Sequence, residues 1–267
     1  MDPPDPTWPL VVAYGLGVNS TALLVEFVKR DIRPDLILFA DTGGEKPETY
    51  EYLPIIQAYL KEVHFPPVIT VRYEPRTAPY RTLEGQCLHT GTLPSLAYGG
   101  KSCSLKWKRS PQDRFILRRY PRDECQARGQ RVVRAIGFDA SERRRTYAGS
   151  MTSNVERSSR EAILDRDYFT YWYPLLTWGL DRSACEASIR SVGLPVPPKS
   201  ACWFCPASKK AEILTLRQSH PDLLQRALAL ETNALPKLTS VRGLGRSFAW
   251  SSFLEQLDHP PLFPEHS

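Results

Sequence analysis

Two short stretches hold residues whose types and spacing could do chemistry. The first, "YGLGVNSTALL" from Tyr14 to Leu24, follows the apolar run "LVVA" and leads into a helical pattern. Gly15 and Gly17 let the backbone come close to an anion. Free amides near Ser20 and Thr21, the two hydroxyls and the positive end of a helix dipole would stabilise the negative charge. No Lys follows as in a Walker A loop and the spacing is not G-x-G-x-x-G, so neither fingerprint describes the turn. A plain strand-to-helix turn with Ser20 as N-cap is the alternative that these residues leave open.

The second stretch is "CWFCP", in which Cys202 and Cys205 can bring two thiolates to one metal from a single turn, with Pro206 read as the start of a helix. A thioredoxin-type pair should open a helix early in a βαβ unit, and this one lies late in the chain. A cluster or zinc site needs more ligands. Cys185 in "RSACEAS" is the best fourth, and equally a buried small hydrophobe. Cys87, beside His89, is a weaker substitute, and Cys125 on a polar helix is incidental. Trp203 and Phe204 would shield a cluster or anchor the loop to the core.

Basic side chains complete the set. Lys106, Lys108 and Arg109, with Arg143, Arg144 and Arg145, are candidates to neutralise phosphate or sulfate, the alternative for each being a solvated surface charge. Trp107 between the two lysines either stacks on a base or packs a helix, with packing the favoured reading.

The elements that must position these residues follow from the apolar periodicity. "PLVVAY", "DLILFA", "PPVITVRY" and "RVVRAIG" read as strands, and "WYPLL" as a last one. "STALLVEFVKR", "PETYEYLPIIQAYLKEV", "SPQDRFILRRY", "RDECQARG", "RSACEASIRSV", "ASKKAEILTLRQ" and "PDLLQRALALE" read as helices. Strands alternating with helices predict an α/β fold, a doubly wound and mostly parallel sheet. The expected division is a nucleotide-binding α/β domain over residues 1–180 and a helical C-terminal region over 181–267, packed on the same domain and carrying the C-x-x-C. The stretch from Glu74 to Trp107 is too long for an idle connection and reads as functional. A second long polar stretch, "FDASERRRTYAGSMTSN", follows the fourth strand.

The bulk figures agree. The 267 residues suffice for one sizeable core, and 42% hydrophobic with 24% charged residues is a globular balance. No stretch approaches the roughly 20 apolar residues of a spanning helix, and the first residues lack a signal peptide's basic region, so a cytoplasmic protein without membrane association is expected. In a reducing compartment six cysteines suggest metal or chemistry before disulfides. A net charge of +6 favours an anionic partner, nucleotide or nucleic acid.

"GLGVNST" resembles the PP-loop, S-G-G-x-D-S-[ST], of the adenine nucleotide alpha-hydrolase superfamily. "FADTGGEKPETYEYL" resembles the "DTG.E.PETYE" element of phosphoadenosine phosphosulfate reductase-like proteins and is the more specific match. "CSLKWKRSP", "GFDASERRR", "YPLLTWGLDR" and "KSACWFCPASK" follow in family order, so the resemblance runs from about Leu10 to Lys210. Gly15 and Leu16 replace the usual Ser and Gly, and Asn19 replaces the Asp that assists Mg2+ in ATP-using members. The resemblance implies that Gly17, Ser20 and Thr21, with Gly15 and Asn19, hold phosphate or sulfate. It also implies that Phe39, Ala40, Asp41 and Thr42 flank adenine, with Asp41 near the ribose. Gly137 and Glu142 resemble the loop that closes over the charged end of the nucleotide, and Lys108 and Arg144 would contact it. Glu45 and Glu48 are either part of this element or plain helix-start carboxylates. Cys103 becomes the third metal ligand, beside Cys185, Cys202 and Cys205.

The activity implied is that of a PP-loop enzyme. ATP with Mg2+ adenylates an acceptor and releases pyrophosphate, enabling sulfur transfer with an iron-sulfur cluster, 4Fe-4S, or zinc in its place. Ser20, Asp41, Lys106 and Arg143 are the expected catalytic residues, DNA or tRNA the expected acceptor, and a sulfur-donor protein an expected partner. Sulfonucleotide reductases use a cysteine near the C-terminus, and this sequence has none after Cys205, so reduction of a phosphosulfate nucleotide is the runner-up. A zinc-stabilised nucleic-acid-binding module without catalysis is the third reading.

Overall fold

The computed structural model describes residues 4–100, 102–145 and 167–259, with residues 144 and 145 as backbone only. Five strands, β1 (Leu10–Tyr14), β2 (Leu36–Asp41), β3 (Val68–Arg72), β4 (Val132–Ile136) and β5 (Phe169–Trp172), form one sheet in the order β3-β2-β1-β4-β5. The β1–β2, β1–β4 and β4–β5 pairings are parallel, with Val12 opposite both Ile37 and Ala135. Between strands run α1 (Val18–Lys29), α2 (Pro47–Glu62), α3 (Leu83–Thr90), α4 (Ser110–Arg119) and α5 (Arg122–Ala127). After β5 come α6 (Pro174–Thr177), α7 (Arg182–Arg190), α8 (Lys210–Ser219), α9 (Pro221–Ala234) and α10 (Trp250–Asp258). This is the expected doubly wound α/β fold. None of the described helices is long and apolar enough to cross a membrane.

The chain divides into two compact units, the first formed by residues 1–40, 47–71 and 111–200 and the second by residues 41–46, 72–110 and 201–267. In the first unit β1 and the first five residues of β2 are continuous apolar runs because helices cover both faces of the sheet, while β4 carries one buried charge, Arg134, paired with Asp113. Val12, Tyr14, Ile37, Phe39, Val133 and Ala135 pack with α1, α2 and α7. The alternate residues Val11, Leu36, Leu38 and Val132 pack with Ile116 of α4 and Cys125 of α5. This alternation is the period-2 consequence of strand geometry. α7, expected in the C-terminal region, belongs to this unit. Its Ser188 and Lys29 of α1 are joined at 2.8 Å, and Ser188 also donates to the buried carboxylate of Glu26. The boundary expected at residue 180 is thus replaced by a discontinuous division.

The second unit gathers Trp107, Trp203, Phe204, Leu230 and Trp250 into its own core. Glu231 of α9, 1% exposed, ties its last segment down. The carboxylate accepts the amides of Leu244 at 2.6 Å, Trp250 at 2.8 Å and Ser251 at 2.9 Å, together with the Ser251 hydroxyl at 2.7 Å. A buried carboxylate needs such donors, and the start of α10 supplies them.

Three local expectations are corrected. "WYPLL" is not the last strand: β5 ends at Trp172, and Pro174, which has no N–H to give a ladder, opens the helical turn α6. Pro206 does not begin a helix; the next one starts at Lys210, where Lys209 N–H donates to Glu212 at 2.9 Å. The stretch from Glu74 to Trp107 is not all loop. Thr82 caps α3 through the Gly85 amide at 3.0 Å, and Leu105–Arg109 form a π-helical turn running into α4. Most of the later polar stretch, residues 146–166, lies outside the described residues.

Candidate functional site: the switch point of the sheet

β1 is followed by β2 on one side and has β4 on its other, so the carboxyl ends of β1 and β4 bound the topological switch point at which open α/β sheets bind ligands. Gly15 leaves β1, and Leu16 turns the chain with φ of 56°. Gly17, extended, is the N-cap of α1, so Ser20 is not the cap. The Leu16 side chain is fully buried, and that burial holds a left-handed backbone that glycine adopts at no steric cost.

Ser20 closes the turn on itself. Its Oγ accepts from the amides of Gly15 at 3.2 Å and Gly17 at 3.3 Å, and donates to the Gly17 carbonyl at 3.1 Å. The amides of Val18, Asn19 and Ser20 have no acceptor among the described residues, leaving donors at the positive end of a 12-residue helix. Thr21 is different. It is fully buried and its hydroxyl meets the Tyr14 hydroxyl at 3.0 Å, so its side chain braces the turn from below, and burial pushes the Tyr14 phenol upward.

Gly137, directly after β4, lies against this helix start. A Cβ there would stand 2.8 Å from the Asn19 carbonyl oxygen and 2.9 Å from the Ser20 Cα, contacts that only glycine avoids. Asn19 Nδ2 donates to Asp139 and to Glu142, each at 2.9 Å, and Arg182 of α7 reaches its Oδ1 at 3.4 Å. Burial works to raise the Asp139 carboxyl, but hydrogen bonds from Ser141 and Asn19 outweigh it and hold Asp139 below its ordinary value. The Asp that the PP-loop resemblance puts at position 19 is thus replaced by an amide flanked by two carboxylates.

Sequence reasoning missed Asp139, Arg182 and Ser200 here. Ser200 Oγ lies 2.7 Å from where a Gly17 Cβ would stand. The only signal for it was its place in "KSACWFCPASK". Arg143 is exposed on the Ala140–Arg145 turn, and the side chain of Arg144 lies outside the described residues. Phe39 and Ala40 are buried strand residues, so adenine could meet only their backbone.

The second unit holds a separate constellation. Asp41 Oδ1 accepts the Gly43 amide at 2.8 Å, and its Oδ2 accepts Nε and Nη2 of Arg72 at 2.9 and 2.7 Å. The "DTGGE" strip runs antiparallel beside the C-x-x-C, with Glu45 bridged to Cys202 and the Trp203 amide donating to the Gly44 carbonyl at 2.9 Å. Thr42 Oγ1 and Cys202 Sγ are 3.3 Å apart. Lys108 Nζ sits 2.8 Å from Oε1 of Glu45, whose side chain has no exposure and whose Oε2 has no hydrogen-bond partner among the described residues. Burial pushes the Cys202 thiol up to about 12, with the Glu45 carboxylate adding to the rise and Lys108 opposing it. Glu45 is therefore no mere helix-start carboxylate, and Lys108, expected on phosphate, is engaged with Glu45.

Lys106 is engaged too. Its Nζ donates to Tyr80 Oη at 3.1 Å and Gln86 Oε1 at 2.9 Å, and lies 5.0 Å from the ring centres of Tyr73 and Tyr80. Trp107 packs rather than stacks: it is buried, and its indole donates to Gln86 at 2.8 Å.

The four proposed metal ligands fall into three places. Cys202 and Cys205 share one turn, with the Cys205 amide donating to the Cys202 carbonyl at 3.0 Å. Cys103 lines a cavity of about 250 Å³ together with Cys87. Cys185 has no exposure and sits in the apolar core of the first unit, where burial raises its thiol to about 12, which is the buried-hydrophobe alternative. Among the described residues no three His, Cys, Asp or Glu side chains are grouped to hold a metal ion.

No family model and no curated protein matches the chain. Among solved structures, it is similar to the U34-tRNA thiolase NcsA from Methanococcus maripaludis with its 4Fe-4S cluster, at 12% sequence identity over 98% of this chain and 84% of that one, with a TM-score of 0.39.

Proposed function

We propose that the chain is an adenine-nucleotide enzyme of the PP-loop kind, which uses ATP to adenylate an acceptor, releases pyrophosphate, and so prepares the acceptor for sulfur. The observation that carries this reading is the open row of amides of Val18, Asn19 and Ser20 at the switch point, against which Gly137 closes without room for a side chain. In this role the amides bind the charged tail of ATP, and Ser20 Oγ, which satisfies the Gly15 and Gly17 amides, turns toward the phosphates. Stabilising charge on the departing pyrophosphate is then the work of fixed donors, which need no reorganisation as the charge develops.

Mg2+ would arrive with ATP as part of the substrate. Asp139 and Glu142 supply the hard oxygen ligands it prefers, in place of the Asp absent at position 19. Arg143, exposed beside them, adds the cation.

An iron-sulfur cluster fits the C-x-x-C in part. Cys202 and Cys205 would provide two thiolates beside the Lys108 ammonium, while Cys185 is committed to an apolar core. A cluster bound there would supply a site able to hold or hand on sulfur, and the ATP-dependent step does not depend on it. Incubation of the chain with ATP, Mg2+ and a thiolation acceptor should yield AMP and pyrophosphate; ADP alone, or no nucleotide binding, overturns the reading.

A further inference from the structure

After α7 the first unit ends in a segment that returns to the phosphate turn. Residues 194–200, "LPVPPKS", form neither helix nor strand and carry three prolines, each with its φ fixed and no amide donor. Leu194 and Val196 pack against the core of the unit, and the Tyr52 hydroxyl of α2 donates to the Pro195 carbonyl at 2.8 Å. Burial raises the Tyr52 phenol to about 12, which keeps it protonated and donating. The segment is a braced strap, and Ser200 stands at its end.

Ser200 Oγ lies 2.7 Å from where a Gly17 Cβ would stand and 3.8 Å from the Cβ position of Gly15. Ser20 Oγ lies 3.8 Å from that same Gly15 position, so the two hydroxyls flank one mouth of the turn. What engages them differs. Ser20 is bonded to the amides of Gly15 and Gly17 and to the Gly17 carbonyl, whereas the Ser200 hydroxyl has no hydrogen-bond partner among the described residues. The turn itself has no hydroxyl at position 15, where the PP-loop pattern carries Ser.

We infer that Ser200 is a phosphate-binding residue: its hydroxyl donates to the nucleotide phosphate that the amides of Val18, Asn19 and Ser20 hold, and supplies the donor that Gly15 lacks. A half-buried hydroxyl fixed over unpaired helix-start amides is a donor in place before its acceptor arrives. A tetrahedral phosphate suits this arrangement better than a planar carboxylate, because its oxygens point in several directions and accept from the amide row and from Ser200 together. Gly17 is part of the same device, since a side chain there would meet the Ser200 hydroxyl. The inference rests on the reading of this turn as the ATP seat and adds the residue that closes it.

The test titrates the full chain with ATP and Mg2+ and, separately, with inorganic pyrophosphate, by calorimetry. Ser200→Ala removes a hydroxyl that no other described residue uses, so it should melt with the parent. It should bind both ligands about tenfold more weakly, the scale of one hydrogen bond to a charged group. Gly15→Ser should restore most of that affinity in the Ser200→Ala chain. Serine fits at position 15 because the backbone there is not left-handed and the added Cβ makes an ordinary 3.8 Å contact with Ser20 Oγ. A Ser200 that only shaped the strap would not be rescued from the other side of the mouth. Unchanged affinity in Ser200→Ala, or a Gly15→Ser/Ser200→Ala chain as weak as Ser200→Ala, overturns the inference and leaves the ATP seat standing, since the parent still binds. A parent that binds neither ATP nor pyrophosphate sinks the ATP reading, and this inference with it.

Discussion

Gly137 and Asn19 touch backbone to backbone across the switch point: a Cβ on Gly137 would lie 2.8 Å from the Asn19 carbonyl oxygen. Neither atom can move without moving β4 or the first turn of α1. Gly137→Ala should therefore push the helix start away from the strand, weakening ATP binding at least about tenfold and destabilising the chain by about 1–3 kcal/mol, the usual range for overpacking. Nucleotide titration beside a thermal melt checks both; full ATP affinity in a normally folded Gly137→Ala chain would show that the helix start is not the phosphate seat.

Asn19→Asp restores the residue expected from the PP-loop pattern but places a third carboxylate against Asp139 and Glu142, where Asn19 now donates to both. Without metal the variant should melt lower than the parent at pH 7, because like charges repel and two donors are lost. Mg2+ should raise its melting temperature more than it raises that of the parent. An equal response to Mg2+ in both chains would count against a cation among these carboxylates.

At Leu16 the usual order of alanine and glycine should invert. Leu16→Ala loses about 2–5 kcal/mol of core packing and keeps the left-handed backbone, whereas Leu16→Gly loses the same packing but regains about 1–2 kcal/mol of strain. Denaturant titration should rank the parent first, Leu16→Gly second and Leu16→Ala last.

The acid limb of stability should carry the mark of Glu26. Burial works to raise its carboxyl, yet the hydrogen bonds from Ser188 and Lys29 and the charge of Arg30 prevail and lower it. A carboxyl depressed on folding contributes stability above its unfolded value, and that contribution is lost as pH falls through the folded one. Glu26→Gln should thus be less stable than the parent at pH 7, and the gap should narrow below about pH 4.5. A gap that stays constant to pH 3 would show that Glu26 is not the group responsible.

Protein purified without oxygen should be brown if the C-x-x-C holds iron and sulfur. Cys202→Ser and Cys205→Ser should then lose the visible absorption. Cys185→Ser should keep it while melting lower, since it puts a hydroxyl in an apolar core at a cost of about 1–3 kcal/mol. Loss of colour in folded Cys185→Ser would restore that residue as a ligand.

Much of this was legible in the residues themselves. The apolar runs at β1 and β2, the glycine-bearing turn after β1, and the helical spacing of α1 and α2 are local patterns, and local patterns fix an alternating α/β order. The C-x-x-C is likewise local, with its two cysteines on one turn. What the residues alone did not show has a distant determinant. Cys185 looked like a ligand because it precedes the pair in sequence, but the face of α7 that carries it packs on α1. Lys106 and Lys108 looked like phosphate cations because they are basic, but Gln86 and Glu45 already hold them.

The order of strands and helices, and the open amides that follow β1, are therefore properties of the sequence, set by spacing over a few residues. That Asn19 lies between Asp139 and Glu142, some 120 residues further on, is a property of the tertiary structure alone. Strand pairing brings the ends of β1 and β4 together, and no periodicity along the chain encodes which strand becomes whose neighbour.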